Sequence, residues 1–279
     1  MPYTRLWPDI ARIDPRANPA RDAIAVYLLE LDMRAPLALL PAYLTYLGSD
    51  EGERWRAIRT AERKWQFLQS RVLRRVLLAA YTERDPAELE FASDEWGRER
   101  LADNKLLHFS MTQCASHVAM AVGSEGMLGI DAETIFPVRP SFMHIARDHF
   151  NGADLEQLLA CPEPRRYSRF LELWTLKQAY LKALGRGAGQ TMAHCNFSRT
   201  STGLLVCQDS APLADGDRPS AFHSEKWVNI CQLALAYRAG LPVSFRYLNG
   251  SSLAQTWPHT QLASSAFMQP TREALPLLS

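Results

Sequence analysis

Gly129-Ile130-Asp131-Ala132-Glu133 ends a short apolar run that begins at Leu128. Side chains of a strand alternate between its faces, so Asp131 and Glu133 point one way while Ile130 and Ala132 point the other. Two carboxylates at that spacing repel each other, and they need either full solvation or a cation between them. Oxygen donors of this kind suit Mg²⁺, which takes one or two carboxylates together with phosphate oxygens and water. The plain alternative is a strand end whose acids simply face solvent.

About thirty residues downstream begins the clearest helix of the second half, Arg165 to Leu184, closed by Gly185. At 100° per residue, Trp174, Lys177, Gln178, Leu181 and Lys182 share an arc of roughly 140°. Leu176, Ala179, Ala183 and Leu184 lie on the other side. Two ammonium groups beside an aromatic ring suit a polyphosphate ligand. An amphipathic helix with solvated lysines is the alternative. A third segment, Phe109-Ser110-Met111-Thr112-Gln113-Cys114, carries small hydroxyl and amide groups that suit a phosphate or a nucleotide edge.

The elements around these motifs give an α+β order. Ala23–Leu31, His108–Met111, Val118–Val122, Cys195–Phe197, Leu204–Val206, Trp227–Tyr237 and Val243–Tyr247 read as strands. Glu51–Tyr81 reads as one long helix, with Ser49 and Asp50 as cap candidates. Ser141–Phe150 and Ala153–Ala160 read as shorter helices. Each half holds one long helix and a few strands, which suggests two similar halves. The expected division is an irregular lead-in over 1–22, an N-terminal subdomain over 23–122, a C-terminal subdomain over 123–248, and a loosely packed tail over 249–279.

Composition narrows the function classes. The 279 residues carry 31 Lys+Arg against 30 Asp+Glu, a formal charge of +1. No global field holds nucleic acid or a charged membrane, so any anion site is local. Hydrophobic residues make up 47% and charged residues 22%, the balance of an ordinary globular chain. The N-terminus MPYTRLWPDIARIDPR is too charged for a signal peptide, and no run reaches the length of a membrane span, so a cytoplasmic protein is expected. The five cysteines form no C-x-x-C pair and are expected as reduced thiols.

The order and spacing of the motifs resemble the surfactin-type 4′-phosphopantetheinyl transferases. Those enzymes carry a G-I-D-x-E strand followed by W-x-x-K-E-x-x-x-K on a helix. An F-N-x-S-H-S strand, a G-K-P turn and an Arg-rich helix come earlier. The counterparts here are Gly129–Glu133, Trp174–Lys182, Phe109–Cys114, Gly97-Arg98-Glu99, and the helix with Arg63, Phe67, Arg71 and Arg74. The resemblance spans roughly 23–240 and implies a pseudo-dimeric α+β fold of two subdomains, acting as a monomer, with coenzyme A in the cleft between halves. It implies Mg²⁺-dependent transfer of the phosphopantetheine arm to a serine of an acyl or peptidyl carrier protein, the serine hydroxyl attacking the β-phosphorus and 3′,5′-ADP leaving.

By position, Asp131 and Glu133 correspond to metal ligands, and Lys177 and Lys182 to phosphate contacts. Thr112 and Gln113 correspond to contacts near the adenosine 3′-phosphate, and Arg63, Lys64 and Arg98 to further nucleotide contacts. Gln178 stands where the family has a Glu that is a third metal ligand and general base, so Lys177, Gln178 and Lys182 are the expected catalytic set. A Gln oxygen still coordinates a metal, but it cannot take a proton. Gln113 replaces the family's His, Ser110 its Asn, Cys114 a Ser, and Glu99 its Pro. These departures leave a second reading open: a protein of this fold that binds coenzyme A or a carrier-bound chain and performs another step or a non-enzymatic role.

Overall fold

A computed structural model of the chain describes residues 23–31, 33, 40–114, 117–124, 126–185, 192–210, 218–227 and 230–248. The expected lead-in over 1–22 and tail over 249–279 lie outside the described residues. Alternation dominates the first strand, β1 (Ile24–Glu30). Ala25, Tyr27 and Leu29 enter one core, while Ile24, Val26 and Leu28 enter another. Such a two-faced apolar strand must be covered on both sides, and this one lies inside a sheet of order β11-β1-β5-β4. Here β4 is His108–Cys114, β5 is His117–Gly123 and β11 is Val243–Leu248. β11 runs parallel to β1, and the other pairings are antiparallel.

Helices α1 (Leu40–Leu44), α2 (Ser49–Ala57) and α3 (Ala61–Thr82) cover one face of this sheet. Leu68, Val72, Leu73, Val76 and Leu77 of α3 pack against Tyr27, Leu29, Phe109, Met120 and Val122. Each such aliphatic side chain contributes about 1.5–3 kcal/mol by leaving water. The expected single helix over 51–81 is two helices. Ile58 is extended (φ −68°, ψ 132°), and the Thr60 hydroxyl caps α3 by accepting from Arg63 N at 3.4 Å. The apolar spacing from Trp55 through Ile58 to Trp65 carries across the break and conceals it. Gly48, not Ser49 or Asp50, precedes α2, and the Glu51 carboxylate accepts from its N–H at 3.0 Å.

The second half repeats helix on sheet. Strands β6 (Leu128–Thr134), β10 (Cys231–Tyr237) and β9 (Ala221–Trp227) form a three-stranded antiparallel sheet, with α6 (Glu163–Ala183) against it. Helices α4 (Phe142–His149) and α5 (Gly152–Ala160) and the hairpin of β7 (Cys195–Arg199) and β8 (Leu205–Asp209) complete this core. The expected strand over 227–237 is a hairpin. It turns where Ile230 N donates to Trp227 O at 2.8 Å, and an apolar run conceals this turn too. Residues 89–104, a polar stretch with a turn at Trp96–Gly97, contain a further short hairpin, β2 (Phe91–Ser93) with β3 (Glu99–Leu101).

A third apolar layer joins the halves. Ile24, Val26, Leu28, Ala119 and Ala121 meet Leu128, Ile130, Ala132, Leu233 and Leu235. The expected boundary at 122/123 falls inside β5, one residue before its end, and β11 returns to the first sheet, so the segment 123–248 is not a closed unit. All five cysteines are free thiols, as expected.

Candidate functional site

The site begins with a glycine. A Cβ on Gly129 would lie 2.0 Å from the Ala179 carbonyl oxygen and 2.5 Å from Ala183 N, so only glycine lets β6 press against the backbone of α6. Ile130 and Ala132 fill the middle layer, which turns Gly129, Asp131 and Glu133 toward α6. Asp131 Oδ1 accepts from Lys182 Nζ at 2.7 Å and from the Thr112 hydroxyl at 3.1 Å. Lys182 Nζ also donates to Ile130 O at 3.0 Å. Glu133 Oε2 accepts from Arg139 at 2.7 Å, and the Glu133 carboxylate is hydrogen-bonded by Trp174.

Trp174, Gln178 and Lys182 follow one another at steps of four and form a stripe along α6. With Trp174 at Glu133 and Lys182 at Asp131, half-buried Gln178 lies on the stripe between them. Burial pushes the Glu133 carboxyl above its ordinary range. Arg139 opposes that rise, and the Asp131 charge adds to it. The donor chemistry fits Mg²⁺: two carboxylates on β6 and an amide oxygen on the α6 stripe, all hard ligands. Among the described residues no three His, Cys, Asp or Glu side chains are grouped to hold a metal. A Gln in the third place accords with that.

Strand β4 carries the next residues. Ser110 accepts from Ile130 N at 3.1 Å, which fixes β4 beside β6 and turns Thr112 to Asp131. Gln113, one residue on, faces the opposite way. It lines a cavity of about 580 Å³ with Ile58, Arg59, Thr60, Arg63 and Phe67. Arg63 and Gln113 are thus brought together, whereas Lys64 lies over the Trp55 ring at 4.8 Å, outside that lining. Arg98 donates to the Gly126 carbonyl, and its Cδ lies 3.4 Å from where a Cβ of Gly185 would be. It therefore sits at the same end of α6 as Lys182. Burial lowers its guanidinium pKa, opposed by Asp94.

Lys177 departs from the expected arc. It is fully buried, 2.5 Å from the equally buried Asp154 of α5, and it donates to the carbonyls of Met192 (2.8 Å) and Cys195. The arc assumed one solvent face for α6. The helix is instead covered on two sides, so Lys177 and Leu181 turn inward while Gln178 and Lys182 follow β6. Lys177 is thereby paired inside the second core, and of the two lysines Lys182 is the one at Asp131. Sequence reasoning missed Arg59 in the cavity and Arg139 on Glu133. Arg139 lies six residues past the carboxylate in a connection without periodicity, and no spacing rule reaches it.

Residues 127–238 match the family model of the 4′-phosphopantetheinyl transferase superfamily. A Synechocystis sp. protein provisionally named a 4′-phosphopantetheinyl transferase is 29% identical over 151 residues, 53% of this chain and 61% of that protein. The 4′-phosphopantetheinyl transferase HetI of Nostoc sp. is 28% identical over 166 residues, 58% of this chain and 69% of HetI. The 4′-phosphopantetheinyl transferase Sfp of Bacillus subtilis is 24% identical over 145 residues, 52% of this chain and 63% of Sfp. The superfamily that the motifs resemble is therefore the one whose model matches this segment. The chain spans about three fifths of the length of the first of these relatives.

Proposed function

We propose that the protein transfers the 4′-phosphopantetheine arm of coenzyme A to a serine of an acyl or peptidyl carrier protein in the cytoplasm, acting as a monomer. The observation that carries this reading is the Asp131–Glu133 pair held against α6 with Lys182 on Asp131. Asp131, Glu133 and Gln178 would hold Mg²⁺, which when bound neutralises pyrophosphate charge. Lys182, already at the carboxylates, contacts phosphate oxygens and stabilises charge as the phosphorus–oxygen bond breaks. Arg98, at the same end of α6, adds a second cation. Arg63 and Gln113 bind the nucleotide end in the cavity they line. Thr112 holds Asp131 in place by donating to its carboxylate. Gln178 orients by hydrogen bonding and takes no proton.

The substitutions Gln113 and Gln178 favour one competing reading, a protein that binds coenzyme A without transfer. Mass spectrometry of an apo carrier protein after incubation with coenzyme A, Mg²⁺ and this protein decides between them. A gain of one phosphopantetheine mass supports transfer. Coenzyme A binding with no gain on several carrier proteins supports the competing reading.

A further inference from the structure

The two carboxylates of the site are neutralised in different ways. Asp131 is held by Lys182, which also grips the Ile130 carbonyl and stands on a packed helix, with a side chain 33% exposed. Glu133 is held by Arg139, whose side chain is 47% exposed and stands on the connection between β6 and α4. The bonds from Lys182 and Thr112 both fall on Oδ1 of Asp131. On Glu133, Arg139 takes Oε2, and the Trp174 bond adds to the demand on the same carboxylate. A dication held by these carboxylates would meet a fixed ammonium at Asp131 and a removable guanidinium at Glu133.

We propose that Arg139 is the exchangeable counterion of this site: it neutralises Glu133 until a divalent cation takes that place, and so it sets the threshold for metal entry. This rests on the reading of Asp131 and Glu133 as a cation site. The physical basis is charge. Glu133 is a largely buried carboxylate next to another, and leaving it unpaired is costly. An arginine six residues along the chain satisfies it at low entropic cost, through a short loop. Because the arginine is nearly half exposed, the pair is weak and salt-sensitive. A dication delivers twice the charge with direct coordination, and the guanidinium returns to water with little loss. Arg139 is then a competitor of the metal. A second-sphere supporter would behave oppositely on removal.

The test uses the full chain with MnCl₂ as the probe, free Mn²⁺ being counted by its electron paramagnetic resonance signal. Arg139→Gln is expected to bind Mn²⁺ about two- to fivefold more tightly than wild type, the range of an exposed ion pair. Arg139→Lys, which keeps the charge, is expected to stay near wild type. Raising the ionic strength should narrow the gap between Arg139→Gln and wild type. Unchanged or weaker binding by Arg139→Gln, with Asp131→Asn still abolishing binding, overturns the exchange and leaves the cation site standing. No binding by wild type, with or without coenzyme A, overturns both.

Discussion

Lys177 and Lys182 stand five residues apart on α6, and they should respond to substitution in opposite ways. Lys177 and Asp154 are both fully buried, 2.5 Å apart, and Lys177 also satisfies two carbonyls of the 192–195 segment. Lys177→Met leaves Asp154 buried without a counterion, a loss of about 3–5 kcal/mol. For a chain of this size each kcal/mol moves the melting temperature by about 2–4 °C, so a fall of roughly 6–20 °C is expected. Adding Asp154→Leu removes the orphaned charge and should restore most of the loss, since a buried pair exchanged for apolar side chains is often neutral or better. Lys182 is one-third exposed, so Lys182→Ala should cost no more than about 1 kcal/mol of stability. Its effect should appear in calorimetric titration with coenzyme A, as weaker binding and a flatter salt dependence. A Lys177→Met protein that melts with wild type but loses coenzyme A affinity would refute the assignment of Lys177 to packing.

Gly129→Ala should lower thermal stability by at least about 1–3 kcal/mol, because its Cβ meets the α6 backbone at 2.0 Å; an unchanged melting curve would show that α6 is not held as described. At Glu99, burial raises the carboxyl pKa, but Arg74 and Arg71 outweigh it and hold the group below its ordinary 4.5. Its stabilisation is then present above about pH 4.5 and lost as pH falls through the lower folded value, so Glu99→Gln should flatten the acid limb of denaturation midpoints measured from neutral to acid pH. Gln178→Glu adds a proton acceptor between Trp174 and Lys182, and general-base help of up to ~10²–10⁴-fold should appear in the carrier-protein mass assay. Transfer that falls on introducing Glu would mean that the amide is adapted to the present site.

Strands and helices with a clean period were legible, and so was the pair Asp131 and Glu133. β1 reads as an unbroken apolar run, in keeping with its cover on both faces, and the alternation after Gly129 puts Asp131 and Glu133 on one face. Legibility failed where periodicity persisted through a break. Trp55, Ile58 and Trp65 keep a helical step across Thr60, and the apolar run after Trp227 hides a turn. It failed again on α6, because a helical wheel ranks positions around one axis but does not say how many neighbours cover it. Lys177 and Lys182 look alike on the wheel. Asp154, distant in sequence, is what draws one of them inside. Arg139 was invisible for the same reason, since its role depends on how a loop returns to Glu133.

The departures from the transferase pattern divide into two kinds once their surroundings are known. Glu99, in the place of a proline, pairs with Arg74 at 2.5 Å and Arg71 at 3.4 Å, and Arg74 in turn pairs with Glu51 of α2. Cys114, in the place of a serine, is buried in the middle layer, where its thiol is hydrogen-bonded to Cys231. Ser110, in the place of an asparagine, accepts from Ile130 N. Each of these has contacts within this chain that account for it through packing. Gln113 and Gln178 do not belong with them. One is exposed and lines the cavity beside Arg63; the other is half-buried on the α6 stripe between Trp174 and Lys182. Both put a neutral amide where the pattern has a titratable group, keeping hydrogen-bonding capacity and losing the proton site. The change in chemistry is thereby concentrated at two side chains that carry little of the fold. In the transfer reading, the serine proton leaves through a group other than those at 113 and 178. The pH–rate profile of the wild type should then follow that group, and Gln178→Glu should add a new limb in the range where a glutamate titrates.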